Sequence, residues 1–147
     1  MKNCKFCSIV DGEEPASIVY ENNAVMAFMT IQPTRPGECL IIPKEHIDDF
    51  TDLDDDIASE IIVVANRIGR KIMEQFNPLR VGMIVHGFGV PHAHLILVPQ
   101  HNFNDITSGR FASIEEGKIV FDLRNIPRMD RKELDKHAQM LRIESEA

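Results

Sequence analysis

The 147-residue chain lacks several features that would place it outside the cell or in a membrane. Its three cysteines are too few for the disulfide framework of a small secreted protein. No apolar run approaches the roughly 18 residues of a membrane span. The first residues lack the apolar stretch of a signal peptide. These absences predict a cytoplasmic protein with no membrane partner.

Positive charge is also scarce. The formal net charge is −7 at pH 7, with 16 Lys and Arg against 23 Asp and Glu. Nonspecific binding of DNA or RNA needs a basic surface, so we expect no nucleic-acid partner. The net negative charge does not exclude a nucleotide-sized anion as a ligand, because such an anion needs only a few local hydrogen-bond donors.

The hydrophobic pattern predicts one α+β domain over residues 1–147, with a core at about 4–99 and an extension at 100–147. Strands are predicted at 17–21, 25–31, 39–42, 81–85 and 90–99, a long helix at 51–76, a loop at 102–109, a weak strand at 118–123, and a last helix from Met129. Spacings of three and four along Ile57, Ile61, Val64, Ile68 and Ile72 indicate the long helix. Short links between strands imply an antiparallel sheet of about five strands.

The last helix has a predicted start and a predicted buried side. Asp130 can cap it, and Glu133 stands where a capping box would place it. Leu134, Ala138 and Leu141 form its apolar side, whereas His137 is expected at the surface. The extension therefore ends in an amphipathic helix.

The most informative segment is Val90-Pro91-His92-Ala93-His94, which opens an apolar run that ends at Pro99. In a strand, alternate side chains share a face, so the two imidazoles would lie roughly 7 Å apart on one face. Such a pair can bind a metal, perform nucleophilic catalysis, or divide those roles.

His94 is the candidate nucleophile of this segment. A neutral imidazole attacks phosphorus well and leaves well, so it can form a transient phosphoramidate. It needs a fixed tautomer, which a backbone carbonyl usually sets. The alternative is a core histidine with satisfied hydrogen bonds.

Cys4 and Cys7 form a C-x-x-C pair that suits either metal binding or redox chemistry. A thioredoxin-like site needs a βαβ pattern after the pair, and none follows. A four-coordinate zinc site needs two more nitrogen or sulfur ligands, for which His46 and His92 are best placed. Cys39, inside a predicted strand, is interpreted as a small buried hydrophobic residue.

Taken together, these pieces resemble the histidine triad (HIT) nucleotide-binding superfamily over roughly residues 4–99. The resemblance rests on the C-x-x-C pair, on Ile31-x-Pro33-x-x-Pro36-Gly37, on Leu40-Ile41-Ile42-Pro43-Lys44-x-His46, on the long helix, and on the Val90–Pro99 segment. The order and spacing of the set are specific to that superfamily.

The resemblance implies a homodimer that binds nucleotides and transfers or hydrolyses a nucleoside monophosphate. His94 matches the family's nucleophile. The residues that match the zinc ligands of zinc-bearing relatives are Cys4, Cys7, His46 and His92, and the zinc would be structural. The residues implied at the substrate are Ile9, Phe28, Ile31 and Val90 at the base, with His92 and His94.

Four positions depart from the family pattern. Ile96 replaces the third histidine of the triad, and Glu38 replaces the histidine after Pro-Gly. Thr30 stands where an aspartate or asparagine is usual, and Phe88 stands near the position of a loop glutamine. Losing one donor to a developing oxyanion typically costs about 100- to 1000-fold in rate. Several such losses would leave little activity.

Three hypotheses therefore stand. The first is a zinc-stabilised hydrolase or transferase of nucleoside phosphate derivatives, such as a nucleoside phosphoramidate or a dinucleoside polyphosphate. The second is a nucleotide-binding or regulatory module with little or no catalysis. The third is a zinc-stabilised structural protein without a nucleotide site.

Overall fold

The computed structural model describes residues 3–106, 112–121 and 126–144. In chain order the helices and strands are α1 (Lys5–Val10), β1 (Ile18–Glu21), β2 (Val25–Met29), β3 (Cys39–Pro43), α2 (Asp55–Phe76), β4 (Arg80–Ile84), β5 (Leu95–Gln100), β6 (Ala112–Glu115), β7 (Lys118–Phe121) and α3 (Arg131–Leu141), with short 3-10 helices at Phe50–Asp52 and Phe103–Ile106. No helix within these residues is long and apolar enough to cross a membrane.

The main sheet has five antiparallel strands in the order β1-β2-β3-β5-β4. β2 pairs with β3 so that Met29 lies opposite Cys39, and β3 pairs with β5 so that Leu40 lies opposite Ile96. The hairpin β6–β7 forms a separate two-stranded sheet. The predicted α+β class with a five-stranded antiparallel sheet is confirmed.

The long helix α2 forms as its apolar stripe predicts, but it begins later than residue 51. Asp54 caps it by accepting a hydrogen bond of 2.9 Å from the Ile57 N–H. Residues 50–52 form a separate 3-10 turn. The helix ends at Phe76, and the left-handed conformation of the next residue, Asn77 (φ 50°), stops the helical ladder. Four residues of the predicted stripe are fully or almost fully buried: Ile61, Val64, Ile68 and Ile72.

The two faces of the sheet carry different layers. On one face, α2 and α3 pack on the strands in one large apolar core. On the other, the short helix α1 packs in a second cluster made of Cys4, Phe6, Cys7, Ile9, Met26, Phe28 and Ile42. This second face holds the candidate site.

The predicted histidine strand begins too early. Its regular pairing starts at Leu95, so His92 and His94 precede β5 rather than lie within it. The His92 N–H bonds to the Val90 carbonyl at 2.8 Å, which closes a tight turn at Pro91. The Ala93 N–H bonds to the Ile47 carbonyl at 2.7 Å, outside the strand ladder. Alternation of residue types with a period of two cannot distinguish a loop fixed by such hydrogen bonds from a strand.

The C-terminal extension differs from expectation in detail. Residues 103–106 form a 3-10 turn within the predicted loop, and the strand Ala112–Glu115 was not foreseen. Residues 107–111 and 122–125, which include parts of the predicted loop and weak strand, lie outside the described residues.

Helix α3 occurs where predicted, but its capping box does not form. Asp130 occupies the cap position without a side-chain cap hydrogen bond, and Glu133 instead approaches His137 Nε2 at 3.1 Å. The expectation of a surface His137 is wrong, since the ring is buried against Phe76. Leu134, Ala138 and Leu141 are buried as predicted.

Candidate nucleotide site and metal centre

The side chains of Cys4, Cys7, His46 and His92 converge on one point. Their donor atoms all lie within 4.8 Å of one another. His92 Nδ1 lies 3.4 Å from Cys4 Sγ and 3.6 Å from Cys7 Sγ, and His46 Nδ1 lies 3.2 Å from Cys7 Sγ. Helix α1 supplies this convergence on the cysteine side, because it starts directly after Cys4 and brings Cys7 round by one turn.

The surroundings of the cluster affect the protonation of its histidine and cysteine side chains. His92 Nε2–H donates to the Pro43 carbonyl at 2.8 Å, which leaves Nδ1 unprotonated and aimed at the sulfurs. Burial lowers the pKa of His92, which favours the neutral imidazole that binds metal. Burial raises the pKa of the Cys7 thiol, so a stable thiolate needs a cation beside it.

This donor set fits zinc. Two sulfurs and two imidazole nitrogens form a closed tetrahedral set of the kind found in structural zinc sites. Cys4 and Cys7 are free cysteines, and both have histidine nitrogens as neighbours. That environment favours the metal interpretation of the C-x-x-C pair over the redox one.

The His94 ring lies beside the metal cluster but makes different contacts. Its Nδ1–H donates to the His92 carbonyl at 2.7 Å, so Nε2 is the basic nitrogen. The ring meets Phe6 edge-on with centroids 5.3 Å apart and His86 with centroids 6.0 Å apart. Burial lowers the pKa of His94, and the ring is only 7% exposed. The arrangement combines a fixed tautomer with a neutral ring.

Phe6 contacts the His94 ring and also lines an apolar cavity of about 180 Å³. Phe6 and Phe28 meet edge to face in its wall, with centroids 5.4 Å apart. The other apolar residues that line it are Ile9, Pro15, Ala16, Met29, Ile31 and Leu40, and its polar lining includes Lys5, Glu14 and Thr30. Ile9, Phe28 and Ile31, which the resemblance implies at the base, all line this cavity, as does Phe6, which the sequence analysis does not name. Val90 packs on the same apolar cluster.

His86, whose ring contacts that of His94, lines a second, larger cavity of about 340 Å³. Three of the four positions that depart from the family pattern line it: Thr30, Glu38 and Ile96. Burial raises the pKa of Glu38 to about 7, and its contacts with Thr34 and Thr30 offset this only in part. The fourth, Phe88, is 80% exposed and stacks on His86.

The C-terminal extension covers both cavities, a role that the sequence pattern left open. Asp105, Ile106 and Ile126 line the larger cavity, and Arg128 and Arg131 line the smaller one. The Met129 N–H donates to the Ile31 carbonyl at 2.9 Å, and Gln32 Nε2 donates to the Ile126 carbonyl at 3.0 Å. Nothing in the local pattern of residues 100–131 indicates these contacts.

A family model described as the HIT domain matches residues 11–103. This protein belongs to the HIT family. The match covers the sheet, the long helix and the His92–His94 segment.

Among curated HIT relatives, the protein named hit of Bacillus subtilis is 29% identical over 130 residues, which cover 85% of this chain and 90% of that protein. The adenosine 5′-monophosphoramidase hnt1 of Schizosaccharomyces pombe is 35% identical over 102 residues, covering 68% and 76%. A zinc-bound histidine triad family protein from Mycobacterium smegmatis superposes with a TM-score of 0.70 at 25% identity, covering 96% and 91%. Its zinc agrees with the donor set found here.

Proposed function

We propose that this HIT protein binds nucleotides and hydrolyses or transfers a nucleoside phosphate derivative through a nucleotidyl intermediate on His94. The hydrogen bond from His94 Nδ1 to the His92 carbonyl carries the proposal. It holds the ring in the tautomer whose Nε2 can attack phosphorus.

In the reaction, His94 Nε2 attacks the α-phosphorus, and the leaving group departs with the electron pair of its bond to phosphorus and a proton from solvent. Water then attacks the phosphorus and gives up a proton to solvent, the electron pair of the P–Nε2 bond returns to Nε2, and a nucleoside monophosphate leaves with neutral His94 restored. The relative from Schizosaccharomyces pombe is named as an adenosine 5′-monophosphoramidase, which supports a phosphoramidate as the first substrate class to test.

The nucleobase occupies the apolar cavity in this proposal. Ile9, Phe28 and Ile31 line that cavity, and aromatic and aliphatic walls suit a planar, weakly polar ring. Val90 lies in the same apolar cluster. Lys5 lines both cavities and can approach a phosphate.

The zinc held by Cys4, Cys7, His46 and His92 has a structural role in this proposal, since the set leaves no open ligand position. When bound, it cross-links α1 to the segment that carries His94. Both ring nitrogens of His92 are engaged, so His92 acts on the substrate by holding His94 through its carbonyl.

A homodimer is proposed across the edge strand β4. Leu79, Met83 and Val85 are exposed along that edge, at 75%, 42% and 44%. Ile62 and Met73 are exposed on α2, on the side where a side chain at position 69 would meet Val81 of β4. An apolar stripe beside an open strand edge suits pairing with a second copy of the chain.

The second candidate function is a nucleotide-binding module with little catalysis. Glu38 and Ile96 favour it, because both line the larger cavity in place of family histidines. A carboxyl group and an aliphatic side chain supply less stabilisation to developing negative charge than imidazolium donors would.

Trapping of labelled nucleotide on the protein separates the candidates. The wild type is incubated with an adenosine phosphoramidate labelled at phosphorus and quenched, and turnover and bound label are measured. His94→Asn should lose both label and at least about 1000-fold in turnover while still binding the product monophosphate. The matched control, exposed His101→Asn, should behave as wild type. Binding without label or turnover in the wild type would favour the module, and no binding at all would leave the zinc-only hypothesis.

A further inference from the structure

Thr30 and Glu38 form a polar pair between the two cavities. The Thr30 N–H donates to the Glu38 carbonyl at 3.1 Å, one step beyond the Met29–Cys39 pair of β2 and β3. The two residues are therefore directly opposite each other and their side chains share a face of the sheet. Both line the larger cavity, and Thr30 lines the apolar cavity as well.

Thr30 has unused hydrogen-bonding capacity beside the Glu38 carboxyl group. Glu38 is 7% exposed, and its Oε1 accepts a long hydrogen bond of 3.4 Å from the Thr34 N–H. Thr30 Oγ1 is buried and has no hydrogen-bond partner among the described residues. Buried polar atoms are normally satisfied. This pair is therefore suited to receive a polar group of a ligand.

The charges around the cavity indicate which polar group fits. Glu38 and Asp105 place two carboxyl groups in its wall, with Asp105 paired to Arg35, whereas Lys5 supplies a positive group. A phosphate beside Glu38 would be repelled whenever that carboxyl is ionised. Neutral hydroxyls suit it, because a carboxylate accepts hydrogen bonds and a threonine hydroxyl both donates and accepts.

We propose that Glu38, assisted by Thr30, binds the sugar hydroxyls of the nucleotide and selects ribose over 2′-deoxyribose. The inference rests on the proposed function. With the base in the apolar cavity, the sugar reaches the wall formed by Thr30, and the phosphate continues toward His86 and His94, whose rings are 6.0 Å apart. A carboxylate that accepts from ribose hydroxyls is a general solution in nucleotide sites.

The test compares the Kd values of adenosine 5′-monophosphate and its 2′-deoxy and 3′-deoxy analogues by calorimetry. The wild type should bind the ribonucleotide roughly tenfold or more tightly than at least one deoxy analogue, as expected for hydrogen bonds to a charged group. Glu38→Leu should reduce the ratio to within about twofold while the deoxy analogue keeps its affinity. Thr30→Val should lower the ratio partly.

Two further variants make the result decisive. Glu38→Gln keeps the side-chain volume and an acceptor for the Thr34 N–H, so it should fold even if Glu38→Leu does not, and it should weaken ribose discrimination. Glu74→Gln removes an exposed glutamate from α2, which packs on the other face, and should match the wild type. Equal affinities for all three nucleotides in the wild type, or full discrimination in both Glu38 variants, would overturn this inference and leave nucleotide binding intact. Failure of the wild type to bind any of the three would overturn the proposed function, and this inference with it.

Discussion

Arg35 Nε lies 3.0 Å from Asp105 Oδ1, and the carboxylate of this ion pair is fully buried. The other oxygen of Asp105 accepts hydrogen bonds from the backbone N–H groups of His101 and Asn102, at 2.7 and 3.0 Å. One side chain thus joins the loop after β2 to the 3-10 turn that walls the larger cavity. The position of this part of the C-terminal extension depends on it.

Asp105→Asn should destabilise the protein by roughly 2 to 4 kcal/mol, because it leaves Arg35 facing a neutral group in a buried setting. Burial opposes ionisation of Asp105, but the hydrogen bonds and Arg35 outweigh it and lower its pKa. Its stabilising contribution is therefore present at neutral pH and is lost only as pH falls through that lowered pKa. Urea unfolding gives the change in free energy.

Amide exchange at 101–106 gives the local effect of the same substitution, which should be a loss of protection. The control is Asp52→Asn, an exposed aspartate near the start of α2. An Asp105→Asn variant with wild-type stability and wild-type exchange would show that the pair does not hold this segment.

Glu38 should make the protein less stable as pH rises from about 4.5 to about 7. Burial raises its pKa from the ordinary glutamate value of 4.5 to about 7, so the folded state binds more protons than the unfolded chain in that window. Stability therefore falls with rising pH, by a total of about 3 kcal/mol, and then levels off. Glu38→Gln should remove this dependence.

The measurement is urea unfolding of the wild type and Glu38→Gln at several pH values between 4 and 8. The variant should be near wild-type stability at pH 4 and more stable at pH 8. A constant difference across the range would mean that the carboxyl group does not titrate with a raised pKa.

Cys4→Ser should lower both zinc content and thermal stability. The wild type should contain about one zinc per chain, and losing a thiolate weakens a site whose binding energy stabilises the folded state. A loss of about 3 kcal/mol would lower Tm by roughly 10 °C in a chain of this size. Metal analysis and calorimetry measure the two effects.

Cys39→Ala is the matched control for the metal, since Cys39 is a fully buried core cysteine outside the cluster. It should keep its zinc even if it is less stable. A full complement of zinc in the Cys4→Ser, Cys7→Ser double variant would reject the ligand set.

Met83→Lys should convert a dimer to a monomer. Its side chain is 42% exposed on the edge strand β4, and two lysines brought together by a symmetric strand pairing would repel each other across an apolar contact. Sedimentation of the wild type and the variant measures the change. The control, Ile114→Lys on the exposed β6–β7 hairpin, should leave the mass unchanged. A monomeric wild type would exclude the dimer.

The four residues of the candidate metal cluster could be proposed from the sequence because zinc restricts the type and number of its ligands. Few side chains bind it, and the C-x-x-C spacing matches one helical turn after a cap, which α1 supplies. The helix α2 was equally accessible, since an apolar stripe at three- and four-residue spacing is typical of an amphipathic helix. Its start was misplaced because several acidic residues in 52–56 can each serve as a cap.

The histidine segment was wrongly assigned to a strand because alternation is a local signal. Whether His92 and His94 pair with a neighbouring strand depends on partners at Pro43 and Ile47, which are distant in sequence. The surface assignment of His137 failed for a similar reason. Its burial follows from Phe76, which lies at the end of another helix.

The sequence by itself determined the α+β class, the apolar face of the long helix and the set of candidate metal-binding and nucleophilic side chains, because these depend on side-chain chemistry and on periods of two and 3.6 residues. Only the tertiary structure decided that Thr30 and Glu38 face each other, that His86 borders His94, and that the C-terminal extension covers both cavities. These relationships join residues far apart in the chain, and strand register and helix packing create them.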